Sequence, residues 1–335
     1  MGVKNFYKYF RKKFQTSITS FIYTNHDVLV VELNGLFYQA IRNFEMGECK
    51  KNSFKVQTRL FTGVVTLLED ILLKNPPRKK LILIVDGVAG MMKVQEQQQR
   101  RYKNALERKY DFFDLNSFSP GTKLMHHLTK YVDFYLRSFM NEHTNYQQVK
   151  VYFSNEKVRG EGEMKLCQCI KMYCNKDELI LIHNSDSDIV CLSLLLNQNI
   201  IICRNSKLYG QEYINITSCR NQIIKQMQWD DRNDTNLLLM DFLLLVFLMG
   251  NDYIDTCPSM DNFATLYDII LPIYQKNRQY FTIIRNERKI LNLLQLCKFF
   301  EIISFQEDEW ICKKHKEQQL GGMFPNELMN QALRK

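Results

Sequence analysis

The 335-residue sequence has no apolar run long enough to cross a bilayer. Its most hydrophobic stretch, NLLLMDFLLLVFLMG from Asn236, is broken by Asp241 and falls short of the roughly 20 residues that a spanning helix needs. No membrane partner is therefore expected. No internal repeat is visible, which leaves no basis for a solenoid or a propeller. A Walker phosphate loop, a Rossmann glycine fingerprint and a G-x-S-x-G elbow are all missing. Nucleotide-driven and acyl-transfer chemistry thus find no support, and no small-molecule cofactor is expected. The ten cysteines follow no disulfide-like spacing, and the N-terminus lacks the charged, apolar and small-residue zones of a signal peptide. Phe6 stands where a myristoylation pattern needs Ser or Thr. Reduced thiols and a reducing compartment are expected, the cytoplasm first and the nucleus as the alternative.

Charge is present but unevenly placed. Residues 1–110 carry 20 Lys and Arg against 9 Asp and Glu, whereas the whole chain balances at +9. A basic surface confined to one region suits a polyanion gripped along its backbone. The loop cations Lys50, Lys51, Arg78, Lys79 and Lys80 read as solvated.

Short runs rich in Val, Ile and Leu predict buried strands near 28–33, 81–86, 149–153, 179–184 and 199–203. Helical periodicity fits 3–14, 36–44, 55–74, 93–108, 122–141, 161–174, 187–196 and 236–250. This alternation predicts an α/β fold, a doubly wound, mainly parallel sheet flanked by helices. Past about residue 255 the strand signal fades. The expected division is a core over 1–258 and a helical C-terminal extension over 259–335, packed on or wrapping that core.

Seven carboxylates stand at or just beyond the ends of the apolar runs or their following loops: Glu32, Asp86, Glu161, Glu163, Asp186, Asp188 and Asp252. In an open parallel sheet the functional crevice lies beyond the carboxyl ends of the strands, so these acids should converge on one rim. So many like charges cost several kcal/mol unless cations neutralise them, which points to divalent metal and to two-metal phosphodiester hydrolysis. Directly after the Asp86 run, KVQEQQQRRY sets Lys93, Gln97, Arg100 and Arg101 along one helical face. Two guanidinium forks, an ammonium and an amide make a receptor for a terminal phosphate.

At this point the residues resemble a family. MGVKNFYKYF, ELNG at Glu32, DGVAGMMKVQEQQQRRY from Asp86, SFSPGTKLM from Ser117, RGEGEMK from Arg159, NSDSDIV from Asn184 and DFLLLVFLMGNDY from Asp241 are similar, in order and spacing, to consecutive blocks of the Xrn family of 5'-to-3' exoribonucleases. The resemblance covers roughly residues 1–258. It implies the PIN/FEN-like nuclease fold and an RNA substrate bearing a 5'-monophosphate. It also implies two Mg2+ or Mn2+ ions held by Asp86, Glu161, Glu163, Asp186, Asp188 and Asp252, and a 5'-phosphate pocket of Lys93, Gln97, Arg100 and Arg101. Glu32 replaces the family's usual Asp and is a methylene longer, so it would hold metal at a shifted position or through water. Tyr38 replaces a base-stacking His and still offers an aromatic face.

Other departures bear on role. Asp255-Thr256-Cys257-Pro258 replaces the family's PHLP, and Asp255 reads as a turn residue. The second conserved region of cellular members is not recognisable, so the chain reads as a minimal member, of the kind a viral genome could carry. Trp310 could substitute for that region's stacking Trp but reads as packed in an amphipathic helix. Cys167, Cys169, Cys174 and His183 match no common zinc spacing, and His126-His127 reads as helix packing or surface. Two other readings stay open: a flap-type DNA nuclease with the same metal core, and an impaired pseudonuclease that binds RNA or a protein. Protein partners leave no trace in the sequence.

Overall fold

The computed structural model describes residues 6–20, 25–43, 53–107, 109–110, 112–206, 208–230, 232–251, 254–255, 266–285 and 287–321. The chain divides into two compact units, Thr16–Thr217 and Met1–Gln15 with Ser218–Lys335.

The first unit is built on a seven-stranded sheet. In chain order its strands are β1 (Ile18–Thr19), β2 (Val28–Glu32), β3 (Lys80–Ile84), β4 (Lys150–Ser154), β5 (Leu179–His183), β6 (Asn199–Ser206) and β7 (Gly210–Asn215). Their spatial order is β1-β7-β6-β5-β2-β3-β4. The five strands from β6 to β4 are parallel, and β7 and β1 add antiparallel edges. Between them run α2 (Asn34–Arg42), α3 (Ser53–Lys74), α4 (Met91–Glu107), α5 (Lys123–Glu142), α6 (Gly162–Tyr173) and α7 (Asp188–Leu194); α1 (Phe6–Lys13) belongs to the other unit.

The central strands VLVVE, KLILI and LILIH are apolar at nearly every position because helices cover both faces. Leu29, Val31, Leu81, Leu83 and Leu181 join one core with Leu36 and Phe37 of α2, Leu60, Val64 and Leu68 of α3, and Met125, Leu128 and Val132 of α5. On the other face α6 lies against β2 and β3. The α5 helix starts where the sequence says it should: Thr122 caps it by accepting from Met125 N (3.3 Å), after Gly121 turns the chain at φ +88°.

Register decides where function can sit. Glu32 pairs with Ile84, Val31 with His183, and Ile84 with Ser154, so the carboxyl ends of β2, β3, β4 and β5 are level. Whatever follows each strand meets on one rim.

The second unit holds α1, α8 (Ile216–Met227, of which all but two residues fall here), α9 (Thr235–Phe247), α10 (Leu271–Asn277) and the long α11 (Leu293–Gly321). Asp234 caps α9 by accepting from Asn236 N and Leu237 N. The helix buries Leu237, Leu238, Leu239, Phe242, Leu243, Leu245 and Val246, and the acid that interrupts it, Asp241, is fully buried. Its carboxylate accepts from Tyr274 Oη (2.7 Å) and Phe281 N (2.8 Å), which reconciles a polar group with a core position. Trp310 lies half-buried in α11. Asn251 Oδ1 accepts from Ile254 N at 3.1 Å, which places Asp255 just after a turn.

Each expected strand is present to within three residues, the largest difference being the longer C-terminal end of β6. Three features were not expected from sequence. The β1 and β7 edge is short, and neither IT nor GQEYIN shows a strand-like apolar run or alternation. The helix α8 and the hairpin of β8 (Thr282–Arg285) and β9 (Arg288–Leu291) are the others. The hairpin adds two strands to a C-terminal region expected to consist of helical and polar segments. Its β9 residues are all exposed, so no buried period marks it.

Candidate active site

Six of the seven predicted carboxylates fall among the described residues, and each follows a strand of the level rim. Glu32 ends β2. Asp86 lies two residues past β3, where Val85 N still bonds Ser154 O (3.0 Å). Glu161 and Glu163 come from the loop after β4, at the N-cap and first turn of α6. Asp186 follows β5, and Asp188 is the first residue of α7, 5% exposed. Asp252 lies outside the described residues.

Two asparagines organise this rim. Asn184, itself buried, donates its amide to Glu32 Oε2 and accepts from Asp186 N (2.6 Å) through its oxygen, so one side chain joins β2 to the β5 loop. Asn34 accepts from Asp86 N at 2.8 Å. Asp86 Oδ1 in turn accepts from Gly162 N at 2.6 Å, and Asp188 N bonds Asp186 Oδ1 at 3.1 Å. Two glycines let backbone come this close. A Cβ on Gly162 would overlap Glu32 Oε1 and crowd Asp86 Oδ1 (3.1 Å), and one on Gly87 would run into the Val158 carbonyl.

Below the acids lies a cation that sequence reasoning passed over. Lys165 is 1% exposed, and its Nζ donates to three carbonyls: Val85 O (2.6 Å), Asn155 O (2.7 Å) and Ser154 O (3.2 Å). It ties the end of β3 to the end of β4. The only signal was its place as the last residue of RGEGEMK.

Electrostatics gather the acids into one group. Burial raises Glu32 well above the ordinary carboxylate range, and the charges of Glu163, Asp86 and Asp186 push it further. Glu163 is pushed up to about 7 by burial and then by Asp86, Asp186 and Glu161. Asp86 is raised by burial, with Glu161 adding and Gly162 N opposing.

Such a group has a pH signature. A glutamate that titrates near 4.5 unfolded and near 7 folded keeps more protons in the folded state, so its contribution to stability falls as pH rises through that window, by on the order of 3 kcal/mol. Half-buried His183, held down to about 4 by desolvation, has the opposite slope between roughly 4 and 6.5. The carboxylate effect is therefore isolated as a difference. In metal-free buffer the stability of wild type minus that of Glu163→Gln is expected to fall between pH 4.5 and 7, measured by urea titration, and a pH-independent difference would contradict it.

The basic helix α4 leads away from this rim. Lys93 is buried in its first turn, with Nζ 3.1 Å from Glu161 Oε1 and 3.9 Å from Glu96 Oε2. Arg100 and Arg101 are exposed, both about two turns further along the helix. Arg100 bonds Glu96, and Arg101 donates to Gln97 Oε1 at 3.2 Å. Tyr38 joins the two regions. Burial raises its hydroxyl, Asp86 raises it further and Arg100 lowers it, while its ring packs edge-on to Phe118 at 5.2 Å. The tyrosine is 38% exposed, so part of its ring faces solvent.

The donor set is all carboxylate oxygen, the chemistry of a hard divalent cation, and the mutual repulsion of Glu32, Asp86 and Glu163 is what such a cation relieves. Among the described residues no three His, Cys, Asp or Glu side chains close into a cage as they stand. The group thus fits metal by chemistry and charge. The remaining candidates sit elsewhere. His126 Nδ1 lies 3.2 Å from Glu156 Oε1 on the wall of a cavity of about 840 Å3 between α5 and β4, and none of the acids above lines it. Burial pushes the Cys167 and Cys174 thiols up to about 11 and 12 and keeps them neutral.

Residues 1–206 match the family described as XRN 5'-3' exonuclease N-terminus. Over 96% of its length the chain is 23% identical to 5'-3' exoribonuclease 1 of Saccharomyces cerevisiae, and over 98% it is 22% identical to the human protein of that name. It spans only 24% and 22% of those two relatives. The catalytic core of Rad2 in complex with DNA superposes with a TM-score of 0.47 at 14% identity, over 81% of this chain and 69% of that one.

Proposed function

The chain belongs to the XRN 5'-3' exonuclease N-terminus family, and from that premise we propose that it is a divalent-metal-dependent 5'-to-3' exoribonuclease that degrades 5'-monophosphorylated RNA to mononucleotides. One observation carries this reading: five carboxylates, Glu32, Asp86, Glu161, Glu163 and Asp186, share one electrostatic neighbourhood, and the helix bearing Lys93, Gln97, Arg100 and Arg101 starts beside it.

Glu32, Asp86, Glu161, Glu163, Asp186 and Asp188 would hold Mg2+ or Mn2+, with Asp252 assigned to them by the family pattern. A bound pair of such ions supplies an activated water and charge neutralisation at the departing 3'-oxygen. The residues of the chain do the rest. Arg100, Arg101 and Gln97 grip the 5'-phosphate and so set the cut at one nucleotide. Lys93, shielded from water, offsets charge on the scissile phosphate as it develops. The solvent-facing part of Tyr38 stacks on the terminal base. Lys165 and Asn184 touch no substrate and keep the rim level. A cap or triphosphate overfills a pocket sized for one phosphate, which makes decapped or cleaved RNA the substrate.

The test compares wild type with Asp186→Ala on 5'-monophosphate, 5'-triphosphate and 5'-hydroxyl RNA, and on 5'-monophosphorylated DNA, in magnesium. Decay of the monophosphorylated RNA alone, lost in the variant, is expected. Equal decay of the three RNAs refutes the phosphate pocket, and preferential DNA cleavage favours a flap-type nuclease. Gly162→Ala should lower decay at least about tenfold, since its methyl group displaces the Glu32 carboxylate. A Gly162→Ala protein within twofold of wild type would show that this close approach is dispensable.

A further inference from the structure

Resting on the 5'-phosphate pocket proposed above, we propose that Glu96 is a product-release residue: its charge weakens the pocket's hold on the 5'-phosphate so that the cleaved nucleoside monophosphate leaves. The basic helix is not purely basic. Between Lys93 and Arg100, on the same face, Glu96 bonds Arg100 through Oε1, and its Oε2 lies 3.9 Å from Lys93 Nζ. Oε2 is shielded from solvent and has no hydrogen-bond partner. A carboxylate thus sits inside the cluster that is to receive a dianion.

The arrangement makes sense for a group whose ligand must come and go. In a 5'-to-3' exonuclease the phosphate that fixes the substrate belongs to the nucleotide released by the cut. A pocket with only cations would bind substrate and product alike, and the product would block the next step. With Glu96 beside Arg100 and Glu161 beside Lys93, two of the cations already face a carboxylate before phosphate arrives. Arriving phosphate must share Arg100 with Glu96 and meet its repulsion, which at a separation of several ångströms near a protein surface changes affinity by about tenfold. Because the guanidinium has five donors, Arg100 can hold both anions at once, so Glu96 tempers binding without abolishing it.

Glu96→Gln separates charge from positioning, since glutamine keeps an acceptor for Arg100. The probe is adenosine 5'-monophosphate, with adenosine as its phosphate-free control, bound to the metal-free 335-residue protein in a calorimetric titration. Glu96→Gln should tighten the monophosphate about tenfold and leave adenosine unchanged. In magnesium, decay of 5'-monophosphorylated RNA by the variant should be inhibited by about tenfold less of the same nucleotide. Glu107→Gln, which removes one charge from the last turn of the same helix, should match wild type, and Glu96→Ala, which also untethers Arg100, should tighten binding less than Glu96→Gln. Monophosphate binding by Glu96→Gln equal to or weaker than wild type overturns the inference, as does equal tightening in Glu107→Gln. Should wild type bind the monophosphate no better than adenosine, the pocket itself is absent and the failure lies in the earlier reading.

Discussion

Asp86→Asn is expected to cut magnesium-dependent RNA decay by about 10^3-fold or more, while the metal-free protein becomes more stable than wild type. The two effects share one cause. Asp86 is held by Asn34 through its backbone and by Gly162 N through Oδ1, and an asparagine oxygen can accept that second bond equally well. What the substitution removes is charge. Burial and Glu161 already raise the Asp86 carboxylate, so ionising it costs folding energy, and neutralising it relieves Glu32 and Glu163 as well. The same charge is what a divalent cation needs from its ligand, and a loss of about 4 kcal/mol in transition-state stabilisation corresponds to about a thousandfold. Single-turnover decay and urea denaturation in chelator, run on one preparation, measure both. A variant that lost activity and stability together would show that Asp86 holds the fold and not the ions.

Lys165→Met should be the most destabilising of these substitutions, at about 3–5 kcal/mol. Methionine matches the volume of the stem but leaves the carbonyls of Val85, Ser154 and Asn155 without their charged donor in a place that water does not reach. The damage is also local. Asn155 opens the loop that leads to Glu161, so that acid should lose its place even in molecules that remain folded. Lys171→Met, on the exposed side of the same helix, is expected to stay within about 0.5 kcal/mol of wild type. Denaturant titration of both decides, and a cost below 1 kcal/mol for Lys165→Met would mean that those carbonyls find other partners.

The parallel core was legible because its strands are buried on both faces, and VLVVE, LILIV and LILIH state this in composition alone. Helix ends were legible where a cap is written into the chain, as at Thr122 and Asp234. The acids were legible because they punctuate apolar runs. The supporting side chains were not, since Asn184 and Lys165 depend on which loops the register brings together, and neither residue type marks itself as buried. The β8–β9 hairpin was illegible for the opposite reason. Its exposed positions carry Arg and Lys between isoleucines, so composition there looks like a polar segment.

The strand order β6-β5-β2-β3-β4 also sets a timetable for the nascent chain. The central strand β2 is complete at Glu32, and its neighbour β3 follows within about fifty residues, but its other neighbour, β5, ends only at His183. At the roughly 5–20 residues per second of synthesis, one edge of this apolar central strand waits on the order of ten seconds for its partner. During that interval VLVVE is an open template for any other strand in reach. A newly made chain is therefore most exposed to aggregation after β4 has emerged and before β5 has, and a stalled nascent chain whose emerged portion ends between residues 155 and 178 should be the species that chaperones bind most strongly.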